Sequence, residues 1–133
     1  MVLVDTNIWS LALRRRVSNQ LQEISELNRL IETGRICMIG IIRQELLSGI
    51  RNQVHFDLVK QELSHFPDQS ILTTDYVEAA RLFDTCRSNG IQGSLSDFLI
   101  CAVSLRLQIP IFTLDKDFPS YGQHCPISLH QIG

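Results

Sequence analysis

The first five residues constrain the fold more than any other part of the chain. Residues 1–4 form a continuous apolar run, and Asp5 follows it directly. A strand that is apolar on both faces is typical of a parallel sheet covered by helices. Because ligands bind at the carboxyl ends of strands in such sheets, Asp5 stands where chemistry is expected. On this segment alone a helix cap is the simpler interpretation, since Asp, Thr and Asn all cap helices well.

The rest of the sequence alternates between strand and helix patterns. Further strands are predicted at residues 36–39, 70–72, 110–113 and 127–129. Helical periodicity predicts helices at 8–13, 41–47, 54–66, 74–90 and 97–107, and another between a cap at Ser18 and a stop at Gly34. Ser94 and Asp97 stand at the spacing of a capping box before the 97–107 helix. Neither repeats nor linkers interrupt the pattern. It therefore predicts one α/β domain over residues 1–133, a three-layer α/β/α sandwich with a mainly parallel sheet of four to five strands.

Composition favours a cytoplasmic globular protein. Hydrophobic residues make up 44% and charged residues 20% of the chain, as in ordinary soluble domains. No apolar run approaches the roughly 20 residues needed to span a bilayer. The first residues lack the basic region of a signal peptide. The four cysteines are scattered, which favours reduced thiols over a disulfide framework.

Acidic residues occupy corresponding places along the predicted sheet. Asp5 and Asp115 follow strands, Glu45 lies on the helix after the second strand, and Asp97 opens a later helix. Each has an ordinary alternative: Glu45 as an exposed helix residue, Asp97 as a cap, and Asp115 with Asp117 as a turn. Strand ends and the first turns of following helices face the same edge of a parallel sheet, so we expect these carboxylates to converge.

Such a cluster predicts a metal site. Neighbouring carboxylates repel one another and raise one another's pKa, and hard divalent cations relieve that cost. Oxygen-only ligands favour Mg²⁺ or Mn²⁺, which suits metal-assisted hydrolysis of a phosphodiester. The net charge of −2 does not exclude a nucleic-acid partner. Without the five acids of the predicted site, twelve basic residues would face nine acidic ones.

Four segments, in order and spacing, resemble the PIN-domain nucleases and especially the VapC-type toxins of toxin–antitoxin pairs. They are Val-Asp-Thr-Asn at 4–7, Gln-Glu-Leu-Leu-Ser-Gly at 44–49, Leu-Ser-Asp-Phe-Leu-Ile-Cys-Ala at 95–102 and Phe-Thr-Leu-Asp-Lys-Asp-Phe at 112–118. The resemblance implies an α/β/α fold and an endoribonuclease that depends on Mg²⁺ or Mn²⁺. It also implies an RNA substrate, a small cognate antitoxin and a homodimer, with no membrane partner.

Site residues are carried over by position. The resemblance implies that the catalytic and metal-binding acids are Asp5, Glu45, Asp97 and Asp115. Supporting roles fall to Thr6, Asn7 and Thr113, and Asp117 is expected at the rim of the site. In one departure, the chain has Ile42 three residues before Glu45, where relatives often carry Ser or Thr, so the helix that carries Glu45 must be capped in another way.

Two features beside the acids leave alternatives open. Arg14, Arg15 and Arg16 would contact RNA phosphates or form a solvated basic turn. Trp9 would stack on a base or, as large aromatic residues more often do, pack in the core.

Two other classes of function compete with the nuclease. A PIN-like module that lacks catalysis would only bind partners, although all four acids are present. A receiver-type signalling domain also binds Mg²⁺ on an α/β fold. It requires an aspartate after a central strand, whereas none directly follows Ile39.

Overall fold

A computed structural model describes residues 1–13 and 21–133. Three parallel strands form its sheet, in the order β2 (Ile36–Cys37), β1 (Val2–Val4) and β3 (Ile111–Phe112). The first strand is therefore central, and it is fully buried, as its continuous apolar run predicts. The predicted RNA contacts of Arg14, Arg15 and Arg16 and the predicted cap at Ser18 lie outside the described residues.

Seven helices accompany the sheet within these described ranges. They are α1 (Thr6–Leu13), α2 (Leu21–Glu32), α3 (Gly40–Leu47), α4 (Gln53–Leu63), α5 (Thr73–Ser88), α6 (Leu95–Leu107) and α7 (Asp117–Tyr121). Gly34 and Gly90 follow α2 and α5 with φ of +67° and +78°, the left-handed backbone that ends helices. Six of the seven helices match the predicted pattern, and α7 is an addition. No described helix is long and apolar enough to cross a membrane.

The outer parts of the sheet differ from the prediction. The strand predicted at 70–72 is wrong, because α5 begins at Thr73 and the Ser70 carbonyl accepts a hydrogen bond from Arg106 instead. Among the described residues, a parallel bridge between Met38 and Asp68 extends this edge. The predicted strand 127–129 is likewise a single parallel bridge, between Ile111 and Leu129. The α/β class and the parallel sheet are confirmed, with three strands extended by these two bridges.

The core lies around β1 and α6. The three residues of β1 are fully buried, and seven consecutive residues of α6, 98–104, are buried on every face of the helix. Such a helix has little freedom to shift, so the acid in its first turn is held in a fixed place. Trp9 is also buried and packs edge-on against Phe66, with ring centroids 5.0 Å apart, which confirms its place in the core.

Candidate active site

Asp5 leaves the end of β1 in a closely bonded turn. Its Oδ1 accepts the Thr6 backbone N–H at 2.8 Å, and its Oδ2 accepts the Thr113 hydroxyl at 2.7 Å. The Asn7 side-chain amide lies 3.4 Å from the same Oδ2, and its Oδ1 accepts the Leu114 N–H at 3.0 Å. The polar residues predicted to support Asp5 therefore join the turns after β1 and β3, and Asp5 is only 6% exposed.

The turn after β3 places two more acids. The Thr113 hydroxyl oxygen accepts the Asp115 N–H at 3.0 Å, and Asp115 Oδ1 accepts the Asp117 N–H at 2.9 Å. Carboxylate oxygens of Asp97, Asp115 and Asp117 all lie within 4.8 Å of one another. Asp117, which the sequence places only at the rim, is thus a member of the tightest acidic group in the described part of the chain.

Asp97 comes to this group from the first turn of α6. Its N–H donates to the Ser94 hydroxyl at 3.1 Å, the cap predicted from the spacing of these two residues. The Asp97 carboxylate does not complete a capping box. Its Oδ2 instead accepts the Tyr121 hydroxyl at 2.7 Å. The side chain is therefore directed toward the acidic group.

Glu45 lies further out on α3. Its Oε1 is 3.4 Å from the Thr6 hydroxyl, which is its link to the Asp5 turn. No side chain caps α3, in line with the departure at Ile42, which is fully buried. Glu45 is exposed, so its carboxylate can move toward or away from the other acids.

The electrostatics of the site disfavour ionisation. Burial raises the pKa of Asp5 against the opposing hydrogen bonds, and the charges of Asp97 and Asp115 raise it further. Burial is also the main cause of the raised pKa of Asp97, and the Tyr121 hydrogen bond opposes it. The pKa of Glu45 is raised by desolvation and by Asp5. In residues 1–13 and 21–133, none of the ion pairs formed by arginine or histidine includes these acids or Asp117.

This donor set fits a hard divalent cation. Every candidate ligand is a carboxylate oxygen, three of the carboxylates are within 4.8 Å of one another, and none of the described ion pairs includes them. Mg²⁺ and Mn²⁺ prefer such ligands, whereas zinc sites use nitrogen or sulfur more often. The residues available to hold an ion are Asp5, Asp97, Asp115 and Asp117, with Glu45 at the margin.

Sequence reasoning misses two residues that shape this site. Tyr121 contributes the hydroxyl that contacts Asp97, and Gly93 leaves the space in which that hydroxyl lies. A glycine just ahead of a helix cap was the one available signal, because a position that tolerates no Cβ often marks a close approach.

Comparisons with known proteins agree with the fold described above. The family model of the PIN domain matches residues 2–123. Among solved structures, FitAcB from Neisseria gonorrhoeae is similar at a TM-score of 0.73 and 18% identity, covering 98% of this chain and 97% of that one. VapBC2 from Rickettsia felis, bound to a promoter DNA fragment, reaches 0.78 at 17% identity, covering 98% of each chain. FitAB bound to an IR36 DNA fragment reaches 0.77 at 17% identity and covers 98% of this chain and 94% of that one. At such identities these likenesses establish the fold, and no curated protein matches the sequence.

Proposed function

Because this chain belongs to the PIN-domain family, we propose that it is a metal-dependent endoribonuclease and the toxin of a toxin–antitoxin pair. The observation that carries the proposal is the acidic edge, by which we mean Asp5, Glu45, Asp97, Asp115 and Asp117. Three of its carboxylates lie within 4.8 Å of one another and no described cation neutralises them. Asp5 is the buried member of this group, and burying a charge without a partner is costly unless an ion offsets it.

The position of each residue in the acidic edge determines its proposed role. Asp5, Asp97 and Asp115 would hold Mg²⁺ or Mn²⁺. Glu45 stands at the open side, and exposed Asp117 is an additional ligand beside Asp97 and Asp115. When bound, the ion supplies an activated water and offsets the charge on the phosphate under attack. Thr6, Asn7 and Thr113 hold Asp5 in one orientation, so that its carboxylate needs little rearrangement before reaction.

The reaction is a hydrolysis. A water oxygen bonds to phosphorus, one P–O bond to a ribose breaks, and the departing oxygen takes up a proton. Glu45, at the open side, is the candidate to receive the proton that the water releases, since partial desolvation and the charge of Asp5 raise its pKa. Single-stranded RNA is the expected substrate because its unstacked bases and backbone are accessible.

The family and the similar solved structures support the proposed cellular role. The similar FitAcB and VapBC2 structures are toxin–antitoxin complexes, and VapBC2 is bound to promoter DNA. We accordingly expect a small antitoxin that covers the acidic edge, a homodimer of the toxin and action on RNA in the cytoplasm.

The test is cleavage of a defined RNA pool by purified protein in ¹⁸O-labelled water. Cleavage should require Mg²⁺ or Mn²⁺, stop with a chelator, and leave one ¹⁸O atom in each new terminal phosphate. Asp97→Asn protein prepared in the same way serves as the control for a contaminating nuclease. Cleavage in chelator, products ending in a 2′,3′-cyclic phosphate, or full activity in Asp97→Asn would each contradict the proposal.

A further inference from the structure

One buried hydroxyl touches the acidic edge without being part of it. Tyr121 is fully buried, and its hydroxyl donates to Oδ2 of Asp97 at 2.7 Å. The residue belongs to α7, the short helix that also begins with Asp117. A single helix therefore supplies one acid of the tight group and fixes the orientation of another.

Packing leaves the Tyr121 ring little choice of position. Its centroid lies 4.8 Å from that of Phe98 and 5.2 Å from that of Phe118. On its remaining side is Gly93, where an added Cβ would come within 2.3 Å of the Tyr121 hydroxyl oxygen and 2.8 Å of Phe98. The absence of a side chain at Gly93 is thus what admits the hydroxyl to this place.

The hydrogen bond from Tyr121 makes the two carboxylate oxygens of Asp97 inequivalent. Oδ2 is engaged by the tyrosine hydroxyl, whereas no described hydrogen bond engages Oδ1. Meanwhile, the Asp97 N–H is fixed by Ser94 at 3.1 Å, so the backbone and the carboxylate are both held. A carboxylate held in this way can offer one oxygen to an ion more readily than two.

We propose that Tyr121 is a positioning residue that limits Asp97 to coordination through one oxygen and so favours Mg²⁺ and Mn²⁺ over Ca²⁺. The inference rests on the proposed function only in requiring that the acidic edge bind a divalent ion. Mg²⁺ demands near-octahedral geometry with short, single-oxygen contacts, whereas Ca²⁺ accepts carboxylates through both oxygens at longer distances. Outer residues that orient a ligand typically change metal affinity by about 10–100-fold when removed.

The test compares Tyr121→Phe with Tyr76→Phe, the matched change at an exposed tyrosine on α5. Free Mn²⁺ is followed by electron paramagnetic resonance while each protein is titrated, and Mg²⁺ and Ca²⁺ are then added as competitors. In Tyr121→Phe we expect Mn²⁺ affinity to fall about tenfold and the ratio of Ca²⁺ to Mg²⁺ affinity to rise about tenfold. Tyr76→Phe should match the wild type in both quantities.

A second variant disturbs the Tyr121–Asp97 hydrogen bond without removing the hydroxyl. Gly93→Ala keeps the hydroxyl but pushes it away from Asp97, so its ion preference should shift in the same direction. Gly122→Ala is its control, because Gly122 has an ordinary helical φ of −62° and its added Cβ would meet nothing closer than 3.4 Å. Thermal unfolding of all four variants separates loss of folding from loss of ion preference.

The outcomes separate this inference from the proposed function. An unchanged Ca²⁺ to Mg²⁺ ratio in folded Tyr121→Phe overturns the role of Tyr121, even if the wild type cleaves RNA. If the Ca²⁺ to Mg²⁺ affinity ratio shifts in Tyr121→Phe but the wild type cleaves no RNA, the role of Tyr121 is supported and the proposed nuclease function is rejected. A wild type that binds no Mn²⁺ overturns the inference.

Discussion

Two groups of carboxylates in this molecule are treated in opposite ways. Glu26 and Asp75 are buried and paired with cations. The Glu26 carboxylate accepts two hydrogen bonds from Arg29, at 2.7 and 2.9 Å, and its Oε2 lies 2.5 Å from Nε2 of His130. The Asp75 carboxylate accepts a hydrogen bond from Arg106 at 2.8 Å. Hydrogen bonds from Arg29 hold the pKa of Glu26 at about 2.

The second group is the acidic edge. Asp5 is about as buried as Glu26, at 6% against 5% exposure, yet it has no cationic partner among the described residues. Burial raises the pKa of Asp5, whereas at Asp75 the hydrogen bonds from Arg106 and Leu72 overcome burial and lower it. Burying an unpaired charge costs stability, and the divalent ion that we propose for the acidic edge would offset this cost.

Asp→Asn changes should show the largest difference between the paired carboxylates and the acidic edge. Asp97→Asn is expected to lower RNA cleavage about a thousandfold, because it removes a ligand charge that stabilises the transition state. Its melting temperature should stay within a few degrees of the wild type. Asp75→Asn should leave cleavage per folded molecule unchanged and lower the melting temperature by about 5 °C, since it weakens a buried pair.

Cleavage rates on one RNA and unfolding followed by circular dichroism check both variants. If Asp75→Asn lost activity as steeply as Asp97→Asn while still folded, the distinction between the groups would be lost.

A matched pair of glutamates extends the comparison to pH. Glu45→Gln should lower cleavage about a hundredfold. Because the pKa of Glu45 is raised in the folded state, its charge costs stability at neutral pH. The variant should therefore be slightly more stable there, and the advantage should vanish as the pH falls below about 4.5, the ordinary glutamate value.

Glu26→Gln should behave in the opposite way. The lowered pKa of Glu26 stabilises the fold above pH 4.5, and that contribution is lost as the pH falls from 4.5 to about 2. The variant should be less stable than the wild type at neutral pH, and the difference should close over that interval. Denaturant unfolding from pH 7 to pH 2 measures both variants, and stability differences of the same sign would contradict this assignment.

The sequence predicts the helices and strands of this fold better than it predicts the contacts between distant side chains. Strand β1 and the place of Asp5 follow from local apolar pattern, and the cap of Asp97 by Ser94 follows from spacing. Helix α7 does not, because it is five residues long and contains Pro119. The hydrogen bond from Tyr121 to Asp97 joins residues 24 apart and depends on the space at Gly93, which no periodicity encodes.

A smaller effect is expected where a neutral group supports an acid. Thr113→Val removes the hydroxyl that donates to Asp5 and accepts from Asp115. The rate of RNA cleavage and the affinity for Mn²⁺ should therefore each fall about tenfold. Thr85→Val is the control, since that hydroxyl donates only to the exposed Arg81 carbonyl on α5. Equal losses in both variants would show that the Thr113 contacts have no special role.

The smallest effect is expected at Asp117. It belongs to the tight acidic group, but it is exposed and held only through its backbone N–H. Asp117→Asn should reduce cleavage severalfold at low Mg²⁺, and excess Mg²⁺ should restore the rate. A loss that no Mg²⁺ concentration restores would place Asp117 among the essential acids.

The most direct test of a cation site at the acidic edge is calorimetric titration of Mn²⁺ into the wild type, Asp97→Asn and Asp75→Asn. We expect saturable binding to the wild type, the same affinity in Asp75→Asn, and at least about tenfold weaker binding in Asp97→Asn. Absence of binding to the wild type, or full affinity in Asp97→Asn, would contradict a cation site there. The unpaired acids would then not form a cation site, and a PIN-like module that only binds partners would be the better description.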